Sequence, residues 1–129
     1  MWFVNLTLLF NQNKNKNISE SRRLKEIQTN IIKNHLNVII LLKMKSKKNL
    51  CGYDFVKDIH AKYNIRLSSS TVYGLLYTLE RKELINGEMG SSGKRVYNLS
   101  QKGTEFVKIV QAKKVEITSF FSRIFDEPQ

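Results

Sequence analysis

A chain of 129 residues with 41% hydrophobic content supports one compact domain with a tail or arm, and its 26% charged residues are ordinary for a soluble protein. The balance is not ordinary: 22 Lys and Arg face 11 Asp and Glu, a net charge of +11, which is best tolerated beside a polyanion, either nucleic acid or an anionic membrane surface. The single cysteine, Cys51, excludes an internal disulfide, no stretch is apolar enough to span a bilayer, and Met1 to Phe10 lacks the flanks of a secretory signal, so the chain reads as cytoplasmic.

Residues Met1 to Phe10 are largely apolar, and Asn11 to Asn17 (NQNKNKN) form a polar low-complexity stretch. Such a stretch buries no apolar area, so residues 1–17 are expected to be a disordered tail, or upstream sequence from a misassigned start codon. From Ser19 the periodicity becomes helical, with Leu24, Ile27, Ile31 and Ile32 at three-to-four spacing. The run continues through Leu36, Val38, Ile39, Ile40, Leu41 and Leu42, apolar nearly all round, which predicts burial on more than one side. It ends in Lys43, Lys45, Lys47 and Lys48, which suit a helix C-terminus.

A second helix is expected after Gly52, running to about Tyr63 with Phe55, Val56 and Ile59 as its apolar stripe. Ser68, Ser69 and Ser70 then offer N-cap hydroxyls to a third, over about 69–82. Val72, Leu75, Leu76 and Leu79 form its inward face; Ser70, Thr71, Tyr73, Gly74, Tyr77 and Arg81 form the other. Two short strands, 84–89 and 94–99, flank Gly90-Ser91-Ser92-Gly93, a hairpin pattern. Ser100 caps a long final helix expected to run to about Phe125, with Phe106, Val110, Ile117, Phe120 and Ile124 on one seam suited to packing against another helix.

Helix, helix, helix, hairpin, helix is the order of a winged helix-turn-helix with one helix added. The expected fold is therefore mainly α with a small β-hairpin: a DNA-binding domain over 18–100 and a long C-terminal dimerisation helix over 101–129. The third helix carries the functional signal. Small hydroxyl residues at its start let the backbone approach phosphates, whose charge suits the helix dipole. Tyrosine and threonine hydroxyls bond phosphates or base edges without a long side chain, and one helix fits the major groove. Lys94 and Arg95, beside the Gly-Ser tip, suit a wing laid on the sugar-phosphate backbone. Surface or dimer packing for the tyrosines, and a solvated turn for the basic pair, are the plainer alternatives. The order and spacing of helix and wing weigh jointly against them.

Leu41-Leu42, Gly52-Tyr53, Ser70-Thr71-Val72-Tyr73, Leu79-Glu80, Leu84-Ile85, Gly93-Lys94-Arg95-Val96-Tyr97, Leu99-Ser100 and Gly103 resemble the signature of the PadR-like transcriptional regulators, from about Ile32 to Gly103. Two positions depart from it: Gly74 stands where that family usually has proline, and Glu83 where it usually has glycine. The resemblance implies a winged-helix homodimer of the small subfamily with a single C-terminal dimerisation helix. Such proteins bind an operator in double-stranded DNA and often repress transcription. Tyr53, Ser69, Ser70, Thr71, Tyr73 and Tyr77 are the candidates for the groove and its phosphates, and Lys94 and Arg95 for the wing. Leu36, Ile40, Phe106, Val110, Ile117, Phe120 and Ile124 are the candidates for the dimer interface. Phe106, Phe120 and Phe121 either fill that interface or, as the resemblance implies, line a pocket for a small apolar effector.

The remaining chemistry-bearing residues point elsewhere than catalysis. One cysteine with His35 and His60 offers no ligand pair at zinc-site spacing, so neither metal nor cofactor is expected. Gly87, Gly90 and Gly93 fit the hairpin better than a phosphate loop, and no nucleophile-base set or carboxylate pair is arranged for an enzyme. Cys51 reads as a packed, inert thiol more readily than as a redox switch. The rival functions are a winged-helix protein-interaction module, an RNA binder and, more remotely, a membrane-surface role for Met1 to Phe10. The basic surplus argues against the first. The second lacks exposed aromatic stacking positions on strands.

Overall fold

The computed structural model describes residues 2–126 and 128. They form two compact units, Met1–Leu36 and Asn37–Gln129.

The first unit is essentially one helix, α1 (Trp2–Asn34). It runs through the Asn-Lys stretch for which the sequence predicts an unstructured linker. Lys and Gln are good helix formers, and asparagine costs only tenths of a kcal/mol per position. Once the periodic 24–32 segment has nucleated a helix, each further residue adds one hydrogen bond. Ile18, Leu24 and Ile27 lie exposed on α1. The run expected to continue through Leu42 is divided at His35, and α2 (Leu36–Ser46) begins on its far side.

The second unit is built around Ile40, Leu41 and Met44 of α2, all nearly inaccessible. Helix α3 (Gly52–Tyr63) contributes Phe55 and Ile59, and α4 (Ser69–Arg81) contributes Val72, Leu76 and Leu79. Ile65 and Leu67 are buried while Arg66 between them is exposed, the alternation expected of an extended connection. Helix α3 ends on Asn64 in the left-handed region (φ 54°), whose N–H bonds the His60 carbonyl at 2.9 Å. Lys43 and Asp58 pair at 2.6 Å and tie α2 to α3.

Strands β1 (Ile85–Met89) and β2 (Arg95–Leu99) pair antiparallel, in a register that sets Gly87 opposite Tyr97 and Met89 opposite Arg95. On the other edge of β2, Leu50 and Tyr97 exchange backbone hydrogen bonds of 3.3 and 2.8 Å. The side chains of Asn49 and Asn98 lock the same edge, Asn98 Nδ2 donating to Asn49 Oδ1 at 2.8 Å. This third, single-residue rung has no sequence pattern of its own, because one bridge leaves no alternation to read.

Ser100 caps α5 (Gln101–Ala112), its hydroxyl accepting from the Gly103 amide at 3.0 Å. The C-terminal segment is helical from Gln101 to Arg123 apart from one residue. It is divided at Lys113 into α5 and α6 (Lys114–Arg123), followed by a short 3-10 turn, Ile124–Asp126. Lys113 leaves the helical region (φ −101°, ψ 18°) with neither proline nor glycine beside it to mark the break.

Candidate nucleic-acid interface

Helix α4 is organised by its N-cap. Of the three serines offered by the sequence, the fold uses Ser68: its Oγ accepts the Thr71 amide at 3.2 Å and pairs with the Thr71 hydroxyl at 2.7 Å. Ser69, Ser70 and Thr71 then occupy the exposed first turn, where backbone N–H groups lack intrahelical acceptors. The helix period separates the two faces as expected. Val72, Leu76 and Leu79 are buried, and Tyr73 and Tyr77 are exposed with Gly74 between them. A Cβ at Gly74 would meet nothing within 4 Å, so this glycine serves no packing within the chain. Arg81 lies 5.7 Å from the Tyr77 ring centroid, adding positive charge to the same face.

The start of α3 lies against this face. The Tyr73 ring packs so closely on Gly52 that a Cβ there would come within 2.5 Å of its Cε1 and Cζ. Tyr53 projects outward beside it, and the Lys57 ammonium sits 5.3 Å from the Tyr53 ring centroid. Asp54 Oδ2 accepts hydrogen bonds from the Cys51 amide at 2.9 Å and the Cys51 thiol at 3.2 Å. Partial burial pushes the Asp54 carboxyl upward, but those two bonds and the charges of Lys57 and Lys94 outweigh it and hold the group below its ordinary value. Cys51 is thus half-buried and engaged as a donor at a helix start.

The two basic wing candidates part company. Lys94 is exposed beside the Gly90–Gly93 tip and near enough to Asp54 to influence it. Arg95 instead reaches back to α4, its Nη2 donating to Glu80 Oε1 at 2.5 Å. The structure therefore presents Tyr53, Ser69, Ser70, Thr71, Tyr73, Tyr77, Lys94 and Arg95 as exposed side chains of one unit, with Arg95 paired to Glu80.

The interface candidates also divide. Leu36 and Ile40 are buried (2% and 0% exposed), so in this chain they present no surface. Phe106 and Val110 are half-buried. Ile117, Phe120 and Ile124 are exposed, together with Ile109, Val115 and Phe125. Phe121 is half-buried and packs edge-on against Phe125, ring centroids 5.4 Å apart. Two residues beside the candidate site escaped the sequence reading. Lys57 had a legible signal, one helical turn after Tyr53. Glu80 had none for its pairing, because its partner lies 15 residues away across the hairpin.

Among the described residues no group of three or more His, Cys, Asp or Glu side chains is placed to hold a metal ion. No described helix is long and apolar enough to cross a membrane.

The profile of the transcriptional regulator PadR-like family matches residues 40–109, over half of the chain. Among solved structures, the chain is similar to a PadR family transcriptional regulator from Eggerthella lenta, with TM-score 0.64 and 18% identity over 86% of this chain and 99% of that one. A PadR-like transcriptional regulator from Bacillus cereus aligns with TM-score 0.63 and 18% identity, over 78% of this chain and 100% of that one. A PadR family transcription regulator from Clostridium difficile aligns with TM-score 0.60 and 23% identity, over 70% and 98% respectively. The search of curated proteins found no match.

Proposed function

The chain belongs to the transcriptional regulator PadR-like family, and from that premise we propose that it binds a specific site in double-stranded DNA as a homodimer and represses transcription there. One observation carries the reading: the outward face of α4, with Ser69, Ser70, Thr71, Tyr73 and Tyr77 exposed together while Val72, Leu76 and Leu79 anchor the opposite face in the core. A helix entering the major groove needs this division, with short hydrogen-bonding side chains outside and apolar anchors behind. The groove candidates sit on that helix and at the start of α3. Lys94 supplies the wing with an exposed charge, and the net charge of +11 supplies long-range attraction to phosphate.

The homodimer rests on the apolar side chains of the C-terminal segment. Ile117, Phe120, Ile124 and Phe125 are 47–66% exposed, a run that a second helix would cover. Two-fold symmetry then sets the two α4 helices in successive major grooves, about 34–36 Å apart. An effector of apolar character would enter the same interface beside Phe106, Phe120 and Phe121.

Fluorescence anisotropy tests the reading, using the duplex upstream of the protein's own gene and a scrambled duplex across a salt series. The expected result is a preference for the native duplex of about a thousandfold or more. Absence of salt-dependent affinity for either duplex overturns the reading in favour of a protein-interaction module.

A further inference from the structure

Arg95 opens β2, and its side chain, still 45% exposed, crosses the hairpin toward α4. Three observations fix that course. Nη2 donates to Glu80 Oε1 in the last turn of α4 at 2.5 Å. The guanidinium carbon lies 5.8 Å from the centroid of the Tyr97 ring, two residues along the same strand face. On the facing strand, a Cβ at Gly87 would stand 2.8 Å from Arg95 Nε and 2.9 Å from Nη2, so the glycine leaves the slot the guanidinium fills. Arg95 is therefore held at both ends, by a carboxylate on the helix and by the hairpin beneath it.

The electrostatic consequence concerns α4 more than the wing. Glu80 puts a carboxylate on the helix that presents Tyr73 and Tyr77, where an unpaired negative charge would repel phosphate. The ion pair cancels it locally and in the same stroke spends the Arg95 charge. Lys94, one residue before, is exposed as Arg95 is, but takes no part in this ion pair.

We propose that Arg95 is a positioning residue: through Glu80 it braces the wing on α4 and fixes the angle between them, while Lys94 makes the wing's phosphate contact. This gives Arg95 a different role from the phosphate contact expected for it from sequence. It rests on the DNA-binding reading for its effect on affinity, but the brace itself belongs to the free protein. Such a pair is partly exposed, with side-chain accessibilities of 45% and 31%. It adds little to global stability, and its effect falls on the geometry of two elements that must meet DNA together.

The test uses the full chain with Lys94→Ala, Arg95→Gln and Glu80→Gln. In the free protein, amide hydrogen exchange of the β1–β2 hairpin is expected to quicken about threefold to fivefold in Arg95→Gln and Glu80→Gln alike, and to stay unchanged in Lys94→Ala. On scrambled duplex, Lys94→Ala lowers the slope of log affinity against log salt by about one. Arg95→Gln leaves that slope in place but lowers the preference for the native duplex about threefold to tenfold. Glu80→Gln raises the slope by about one, because Arg95 is released to reach phosphate. Unchanged hairpin exchange in the Arg95 and Glu80 variants, or a slope lost in Arg95→Gln as in Lys94→Ala, overturns the proposal. Intact exchange effects in a protein that binds neither duplex would keep the brace and overturn the DNA-binding reading instead.

Discussion

Replacing Glu83 by glycine isolates one strained backbone position. Glu83 follows α4 in the left-handed region, at φ 62°. Its N–H bonds the Glu80 carbonyl at 2.9 Å and the Leu84 N–H bonds the Leu79 carbonyl at 3.0 Å, the paired bonds of a Schellman closure. Left-handed backbone costs an L-residue about 1–2 kcal/mol. Glycine adopts it freely but loses about 0.5–1 kcal/mol more conformational entropy on folding. The exposed carboxylate at a helix C-terminus adds about 0.3 kcal/mol against the dipole at low salt. The difference makes Glu83→Gly more stable by about 1 kcal/mol, or about 4 °C in melting temperature for a chain of 129 residues. Thermal unfolding followed by circular dichroism reads this directly. Glu83→Ala is the control, because it removes the charge and keeps the Cβ; its gain should not exceed the dipole contribution and should vanish at high salt. A melting temperature for Glu83→Gly at or below that of Glu83→Ala would refute the assignment of strain to the backbone.

Gly74→Ala is expected to stabilise the free protein by about 1 kcal/mol, since a helix-interior glycine is that much poorer than alanine and the new methyl meets nothing. The same variant should lose operator affinity about tenfold if α4 approaches base edges at this point, and an unchanged Kd would place Gly74 outside the contact. Gly52→Ala should push the Tyr73 ring off this buried glycine, costing about 1–3 kcal/mol of stability from overpacking. It should also weaken duplex binding several-fold, as titrated by anisotropy. The Asp54 carboxyl is held below its unfolded value of about 3.9, so its contribution is fully present above that value. The contribution is lost as pH falls through the lower folded one. Acid unfolding of Asp54→Asn should therefore be shallower than that of the wild type below about pH 4, with the two curves parallel at neutral pH.

The two departures from the PadR-like signature take on physical meaning in the structure. At position 83, where the signature it resembles has glycine, the chain turns left-handed, and Glu83 adopts the turn at a cost. At position 74 the outward, uncrowded Cα explains why glycine is accepted without a packing role.

Much of the fold was legible because the signals are local. Helical period placed α3 and α4 within a residue or two, serine hydroxyls announced the starts of α4 and α5, and glycines bracketed the hairpin. The outward and inward faces of α4 follow from 3.6 residues per turn and needed no tertiary information. Composition misled at residues 11–17, where weak propensity was outweighed by extension of an existing helix. What only the tertiary structure decided is which charges are free and which apolar side chains are covered. Lys94 and Arg95 are indistinguishable as neighbours in sequence. Arg95 is claimed by Glu80 because the hairpin folds back along α4, while Lys94 remains in solvent. Ile40 and Ile117 are both apolar at helical positions, yet one is sealed in the core and the other exposed. Spacing along a chain determines which side chains share a face. What stands opposite that face is a matter of long-range packing, on which local pattern carries no information.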